Sequence, residues 1–457
     1  MAISRRQFLL SSAGILAASQ LPRLVLAAKE SDFDYVLTAE PGSAELIPGI
    51  NTSILGFNGG YPAPVLRAKQ GQRIRIKFIN KLKEPTTIHW HGIRIDIAMD
   101  GVPFLSQPPI MPGETFIYDF VCPDAGTFWY HPHMNSTQQL GRGLVGTLIV
   151  EEAEPVTFDA DIPLCLKNWH IDEKGEFTQL SIPRYAARMG TPGRYETVNG
   201  QHKPTIEIPT GGLIRLRFLN VDNTLIYKIA LKDFPAKIIA VDGNALSKPV
   251  PLTAHEIGAG MRLDIAFIAP EKTDEIIEVQ NGKGRLFFGL LKLKTVEAKL
   301  PKRNQIPSLP VNPIPSPDLK SAEVINFLFE WSGAMTPTDK NGKAKHEFWT
   351  INRRAWEGMN QNNLPAPLAE LKLGKTYIFD MKNVTPHKHP IHMHGHTFTV
   401  IWSNKKKIKP YHTDTVLMEK NERVKIAFVA DNPGRWMFHC HVIEHMKTGL
   451  MGYVSVV

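Results

Sequence analysis

Cysteine is nearly absent: 457 residues hold three, Cys122, Cys165 and Cys440. Three thiols cannot build the disulfide framework of a small secreted fold, so a hydrophobic core must hold this chain together. Cys122 and Cys165 could pair or could stand as two buried free thiols, and the sequence does not choose between these. No apolar run in the chain approaches the roughly 18 to 20 residues that a membrane-spanning helix needs. Long amphipathic helical patterns are scarce, which turns the fold class away from helix bundles and alternating α/β sheets. Excess charge is modest, a formal net +9. Basic residues are not interleaved with aromatics as in single-strand nucleic-acid readers, and "NKKKIKP" at residues 404–410 reads as a solvated loop. The 14 methionines are dispersed, with no thioether-rich insert.

The N-terminus carries the first positive signal. "SRRQFLL" sets Arg5 and Arg6 before an apolar stretch at residues 8–18, and "VLAA" offers small residues for cleavage near Ala27 or Ala28. This pattern is an export signal and resembles the twin-arginine type, which implies the twin-arginine machinery as a partner and a periplasmic or exported location. A retained N-terminal anchor is the alternative. Loss of residues 1–27 removes Arg5, Arg6, Arg23 and no acid, so +9 minus three leaves +6.

The length suggests two to four domains, and a weak internal repeat places them. "GQRIRIKFIN" from Gly71, "GGLIRLRFLN" from Gly211 and "GKTYIFDMKN" from Gly374 are each a glycine turn, an alternating half-buried strand and a closing Asn, 140 and 163 residues apart. That spacing suits one β-sandwich or barrel per repeat, an all-β chain. Prolines at 301, 307, 310, 313, 315 and 317 mark an extended connector. The expected division is a signal at 1–27, domains at 28–155 and 156–300, a linker at 301–318 and a third domain at 319–457.

Four short stretches hold ten of the 17 histidines: "HWHG" (His89, His91), "HPH" (His131, His133), "HPIHMHG" (His389, His392, His394) and "HCHVIEH" (His439, His441, His445). On a strand, residues i and i+2 share a face, so each His-x-His presents two imidazoles to one side. In "HCH" the thiol of Cys440 therefore serves one site and its two neighbours another. One thiolate with two imidazoles, from Cys440, His445 and a histidine elsewhere, matches a blue-copper arrangement. Tetrahedral zinc is the runner-up, but gives no reason for eight further histidines in paired strands.

With these motifs in order, the sequence resembles a three-domain multicopper oxidase of the laccase type. The resemblance implies three consecutive cupredoxin-like Greek-key domains, the middle one without copper ligands, and four copper ions as cofactors. It implies His389, Cys440 and His445 at a type 1 copper, and His89 with His392 at a type 2 copper. His91, His131, His133, His394, His439 and His441 would hold a type 3 pair. It further implies dioxygen as the electron acceptor, reduced to water, and a small reducing substrate or metal ion as the donor, with Cys440 as both ligand and electron path. Asp100 matches an acidic residue that helps deliver protons near the type 2 copper, though an Asp before Gly101 also suits a turn. Gly92 and Gly395 are expected to allow close backbone approach or to be plain turn glycines. Phe128, Trp129 and Tyr130 are expected to serve strand packing, while His387 and His396 lack a counterpart.

Two positions depart from many relatives. Leu450 stands where an axial Met is common, leaving the type 1 copper three-coordinate unless a one-residue slip brings in Met451. Met446 stands where bacterial relatives often carry a Glu for proton delivery, which gives Asp100 more weight. The resemblance favours phenolic or aromatic-amine donors, since no Met-rich insert is visible, with cuprous or another metal ion close behind. Copper-free exported scaffolds share the fold but have lost the ligands that stand here, and a two-domain nitrite reductase would lack the middle repeat.

Overall fold

A computed structural model describes residues 32–333 and 345–457; the twin-arginine stretch lies outside the described residues. Six β-sheets form three face-to-face pairs. In the first pair, the sheet of Ile50–Phe57, Tyr35–Ile47, Arg73–Asn80 and Thr115–Val121 packs against that of Leu66–Lys69, Gly146–Glu151, Gly126–His131 and His89–His91. The middle pair is built from strands between Ala160 and Val296, and the last from strands between Glu323 and Val456. Each pair closes over its own apolar core, centred on Phe78 and Tyr130, on Phe218 and Leu263, and on Phe379 and Phe438. Among the described residues no helix is long and apolar enough to cross a membrane.

The three repeated segments occupy equivalent places. Arg73–Asn80, Leu213–Asn220 and Thr376–Asn383 each pair in parallel with the opening strand of their sandwich and antiparallel with a later one. Each closing Asn is buried. The Nδ2 of Asn80 donates to the carbonyls of Glu84 and Ile110, that of Asn220 to Leu225 and Ile257, and that of Asn383 to His387 and Glu419. Each Oδ1 accepts the backbone N–H two residues on. The repeated Asn thus satisfies the polar backbone where the strand leaves the sheet, in surroundings that would leave those groups unpaired.

One expectation is corrected. Leu213–Asn220 is buried on both faces, although its alternation reads as a half-buried strand. Its outward Arg215 and Arg217 meet the first sandwich instead of water: Arg215 pairs with Glu152, at the end of that sandwich, and Arg217 donates to Thr127 Oγ1 at 2.9 Å, while Asp264 and Asp161 of their own sheet supply the remaining carboxylates. Arginine in a strand marks the solvent face only until another body covers it, and buried guanidinium groups then require carboxylates.

The proline-rich stretch carries no regular secondary structure and lies along the molecule as a strap. Leu309 buries against Ile239 and Ala266, and the Asn312 side chain bonds both the N–H and the carbonyl of Ala125 at 2.9 Å. All three cysteines are free and buried, so Cys122 and Cys165 do not pair.

Candidate metal centres

Two strands of the last sandwich carry the chemistry. His389–Met393 runs antiparallel to Gly434–Cys440, with Ile391 opposite Cys440 and His392 opposite His439. The two-residue side-chain period then sorts the residues by face. Cys440 turns into the sandwich core, whereas His392, His394, His439 and His441 turn towards the first sandwich. There the short strand His89–His91 pairs with Gly126–His131, placing His89 opposite His131.

On the core side stands one small cluster. Cys440 Sγ lies 3.6 Å from Nδ1 of His389 and 3.6 Å from Nδ1 of His445, and the two Nδ1 atoms are 3.1 Å apart. Their outer nitrogens are engaged: Nε2 of His389 faces Thr385 Oγ1 at 2.8 Å, and Nε2 of His445 donates to the Arg188 carbonyl at 2.7 Å. A proton on each Nε2 leaves both Nδ1 lone pairs aimed at the point the sulfur faces. Leu450 is buried in the same core cluster as Cys440, while Met451 packs into other clusters. The indole of Trp349 packs on both imidazoles, with centroids 5.0 Å from His389 and 4.4 Å from His445.

Between the first and last sandwiches lie the other eight imidazoles. His133, His394 and His439 form one group with ligand atoms within 4.8 Å of one another; His89, His91 and His131 form another, and His89, His392 and His394 a third. His441 lies with its ring centroid 4.9 Å from His91 and 5.4 Å from His131. The structure therefore brings all ten motif histidines and Cys440 into two adjacent sites.

Hydrogen bonds fix what these rings offer. Nδ1 of His89 meets the Asp100 carbonyl at 2.8 Å, that of His131 the Pro132 carbonyl at 3.1 Å, that of His392 the Asp414 carbonyl at 2.9 Å and that of His439 the Cys440 carbonyl at 2.9 Å. Carbonyl oxygens only accept, so each Nδ1 is protonated and each Nε2 carries a free lone pair. For His91 the pattern reverses, with Nε2 3.2 Å from Asp414 Oδ1. The Nε2 atoms of His89, His131 and His392, Nδ1 of His91 and both nitrogens of His441 are buried and have no partner in the protein. Nε2 of His394 and Nε2 of His439 face each other at 3.1 Å. Buried nitrogens without partners are costly, and their convergence from separate sandwiches suits a set of metal ions. Burial and neighbouring imidazoles hold His91, His131, His133, His394 and His441 well below the ordinary histidine pKa, so they are neutral, as ligands must be. Burial raises the Cys440 thiol, so a cation at the sulfur is what would hold it as thiolate.

Asp100 is buried and touches two of these rings from different sandwiches: Oδ1 is 3.2 Å from Nδ1 of His89, and Oδ2 is 2.9 Å from Nδ1 of His394. Gly101 has φ +78°, and a Cβ there would fall on the Ile88 carbonyl. Gly92 has φ +89°, and a side chain there would strike Arg262. Trp129 does more than fill a strand face: it stacks on His131 with centroids 4.3 Å apart and planes 27° apart. Met446 is buried beside Trp129 and Cys165 and brings no carboxylate to the site. His396 is buried against Phe428 and Trp436; His387 is half-buried between Trp331 and Trp349.

Sequence reading missed Asp414 and Arg262. Asp414 lies 3.2 Å from His91 and 3.3 Å from His392, and Arg262, from the middle sandwich, grips its carboxylate through Nη1 at 2.9 Å and Nη2 at 2.6 Å. Burial alone would raise the Asp414 pKa, but Arg262 and His392 hold it below the ordinary carboxylate range. In "HTDTV" and "GMRLD" no spacing links these residues to the four histidine motifs, so no sequence signal could have found them.

Comparison with known proteins follows the same lines. Family profiles described as Multicopper oxidase match residues 38–155 and residues 330–457. A multicopper oxidase from Pseudomonas thermotolerans superposes with a TM-score of 0.85 at 45% identity, covering 93% of this chain and 98% of that one. One from Pseudomonas parafulva gives 0.84 at 47% identity, covering 93% and 100%. Among curated sequences, "Multicopper oxidase mco" of Staphylococcus aureus is 29% identical over 92% of this chain and 88% of its own.

Proposed function

Because this chain belongs to the multicopper oxidase family, whose members are copper-dependent oxidoreductases that use dioxygen, we propose that it is a laccase-like enzyme oxidising phenols or aromatic amines. In this reading His389, Cys440 and His445 hold a type 1 copper, His89 and His392 a type 2 copper, and His91, His131, His133, His394, His439 and His441 a type 3 pair. Copper in these positions supplies one-electron oxidation of the donor at one site and four-electron reduction of dioxygen to water at the other. The observation that carries the reading is the back-to-back arrangement: Cys440 Sγ faces the first site while the peptide bonds of the same residue lead to His439 and His441 at the second. Two metal sites are thereby joined by a few covalent bonds.

The remaining roles belong to the protein. Asp100 fixes the rings of His89 and His394, and as the carboxylate shared by both sandwiches it is the group placed to pass protons to reduced oxygen. Asp414 orients His91 and His392 in opposite tautomers, so that Nδ1 of one and Nε2 of the other point inward. Leu450, buried in the same cluster as Cys440, offers no ligand atom, so a type 1 copper would be held there by His389, Cys440 and His445 alone.

Aromatic rings line the approach to Cys440, His389 and His445, which supports an organic donor. A second reading, oxidation of cuprous or ferrous ion, rests on relatives: "Laccase-2" of Botryotinia fuckeliana matches at 27% identity, but "Iron transport multicopper oxidase fio1" of Schizosaccharomyces pombe matches at 26%. Oxygen uptake by copper-loaded protein with a dimethoxyphenol, cuprous ion and ferrous ion side by side tests the choice. Faster turnover of the phenol is expected, and turnover of metal ions alone would overturn the donor class. A copper-free scaffold would have no need of inward-pointing ring nitrogens without partners. Export by the twin-arginine route completes the proposal; Lys at positions 5 and 6 together should retain the protein in the cytoplasm.

A further inference from the structure

Outside both metal centres, the middle sandwich carries a hairpin whose tip is apolar and uncovered. Strands Ile276–Lys283 and Leu286–Val296 are joined by a two-residue turn of Gly284 and Arg285, with Gly284 at φ +64°, a conformation that favours glycine. Directly after the turn come Leu286, Phe287 and Phe288, which are 65%, 38% and 49% exposed. Three consecutive exposed apolar residues gain the folded sandwich nothing and mark a surface that meets something other than water.

Strand geometry divides the three between both faces of the sheet. Leu286 and Phe288 stand across from Lys283 and Asn281, on the face where Ile277, Val279, Leu291 and Leu293 fill the core. That row runs on past the core into the open. Phe287, across from Gly282, points to the opposite face, where Lys228 from the neighbouring strand covers its ring. The tip is therefore apolar on two sides. A flat protein surface, that of a second copy included, covers one face of a hairpin, whereas a medium that surrounds the tip covers both.

The charge at the tip adds a sign. Residues 279–296 contain Lys283, Arg285, Lys292 and Lys294 and no acid. The Lys228 ammonium lies 5.3 Å from the centroid of Phe287 and the Lys283 ammonium 6.0 Å from that of Phe288, while Arg285 is exposed in the turn itself. Two carboxylates border the hairpin: Glu196 is 3.8 Å from Lys283, and Glu278 stands opposite Lys292 nearer the base. Among the described residues neither Lys228 nor Arg285 forms an ion pair.

We propose that this hairpin docks the protein on a bilayer that contains anionic phospholipid. Leu286, Phe287 and Phe288 enter the boundary between headgroups and acyl chains, and Lys228, Lys283 and Arg285 meet lipid phosphates. An ammonium beside each aromatic ring suits that boundary, because the ring sits at headgroup depth while the lysine stem reaches back to the charged layer. Docking of this kind is peripheral, and it is independent of which donor the Cys440 site oxidises.

Flotation with vesicles of phosphatidylglycerol and phosphatidylcholine in equal parts tests the proposal, on copper-loaded chain from residue 28 onwards so that the apolar stretch of the export signal takes no part. Wild type should float. Leu286→Ser, Phe287→Ser and Phe288→Ser combined should weaken partitioning by about tenfold or more, and Lys228→Gln or Arg285→Gln by about fivefold each, with copper content and Tm at wild-type values. Leu286→Cys carrying an environment-sensitive dye should shift its emission to the blue on these vesicles; the three native thiols are buried and leave the label on this position. Equal flotation of wild type and the triple variant would overturn the proposal, as would no flotation of wild type or equal binding to pure phosphatidylcholine. If wild type self-associates in sedimentation velocity, the triple variant does not and neither floats, the hairpin is an interface between copies and the membrane reading falls.

Discussion

At the scale of single residues, position relative to the backbone decides chemistry. Cys440 sits between two histidines in sequence, yet shares its site with His389 and His445 because a strand sends neighbours to opposite faces. Cys440→Ser should abolish the blue absorption and donor-driven oxygen uptake while leaving the circular dichroism of a β-sandwich; retained turnover would mean electrons enter elsewhere. Asp414→Asn tests the hydrogen-bond assignment. An amide leaves the buried Arg262 guanidinium without its countercharge, so the variant should lose stability by about 3 kcal/mol or more in denaturant titration. It should also weaken copper retention in dialysis by roughly 10- to 100-fold, as expected when a group orienting a metal-bound histidine is altered. Copper content equal to wild type would show that His91 and His392 hold their orientation without it. Asp100 was legible from its distance after "HWHG", but the same reading could not foresee that its carboxylate joins His89 to His394, since those rings come from opposite ends of the chain.

Among elements, the three repeated strands show how much a pattern carries. Glycine turn, alternation and closing Asn gave three strands in equivalent places, and the Asn acquired a reason: it bonds two carbonyls and one N–H where the strand leaves its sheet. Asn220→Ala removes those partners without providing others, so it should cost about 2 to 3 kcal/mol in urea unfolding; a change within ±0.5 kcal/mol would show that water replaces the side chain. Alternation misled only at Leu213–Asn220, where Arg215 reaches Glu152 and Arg217 reaches Thr127 of the first sandwich. The segment over the Cys440 site was not legible at all. Its hold depends on the Ala186 and Arg188 carbonyls, and backbone atoms leave no signature in residue types.

For the whole molecule, the telling feature is how the sandwiches meet. Arg262, from the middle one, donates Nε to the Thr127 carbonyl of the first and binds Asp414 of the last. The sandwich without motif histidines therefore braces the site between the other two. Metal ions in a site built from two sandwiches bind the folded state alone, so removal by chelation should lower Tm, and restoring copper should recover it at about four ions per molecule. A Tm indifferent to copper would mean that the ligand cage is fully supported without it. Lys167 provides a separate check on the middle sandwich. Burial pushes its pKa down to about 8 from 10.5, partly opposed by Asp222. Below pH 8 both folded and unfolded chains carry the proton, so the cost of the buried charge is fully present and constant. Between about pH 8 and 10.5 the unfolded chain binds more protons, so this residue makes stability rise with pH. Lys167→Met should remove that rise and stabilise the protein at pH 7 by on the order of 3 kcal/mol; parallel stability curves for the two proteins across this range would refute it.

Sequence by itself determined the all-β class, the repeated strands, the two faces of each His-x-His and the identity of the eleven candidate ligands, because each of these follows from local periodicity and donor chemistry. Tertiary structure alone decided which rings share a site, which nitrogen of each points inward, and that Asp414, Arg262 and Trp349 stand behind them. Those facts depend on contacts between residues up to hundreds of positions apart, set by how three separately closed cores dock, and no local pattern encodes the docking.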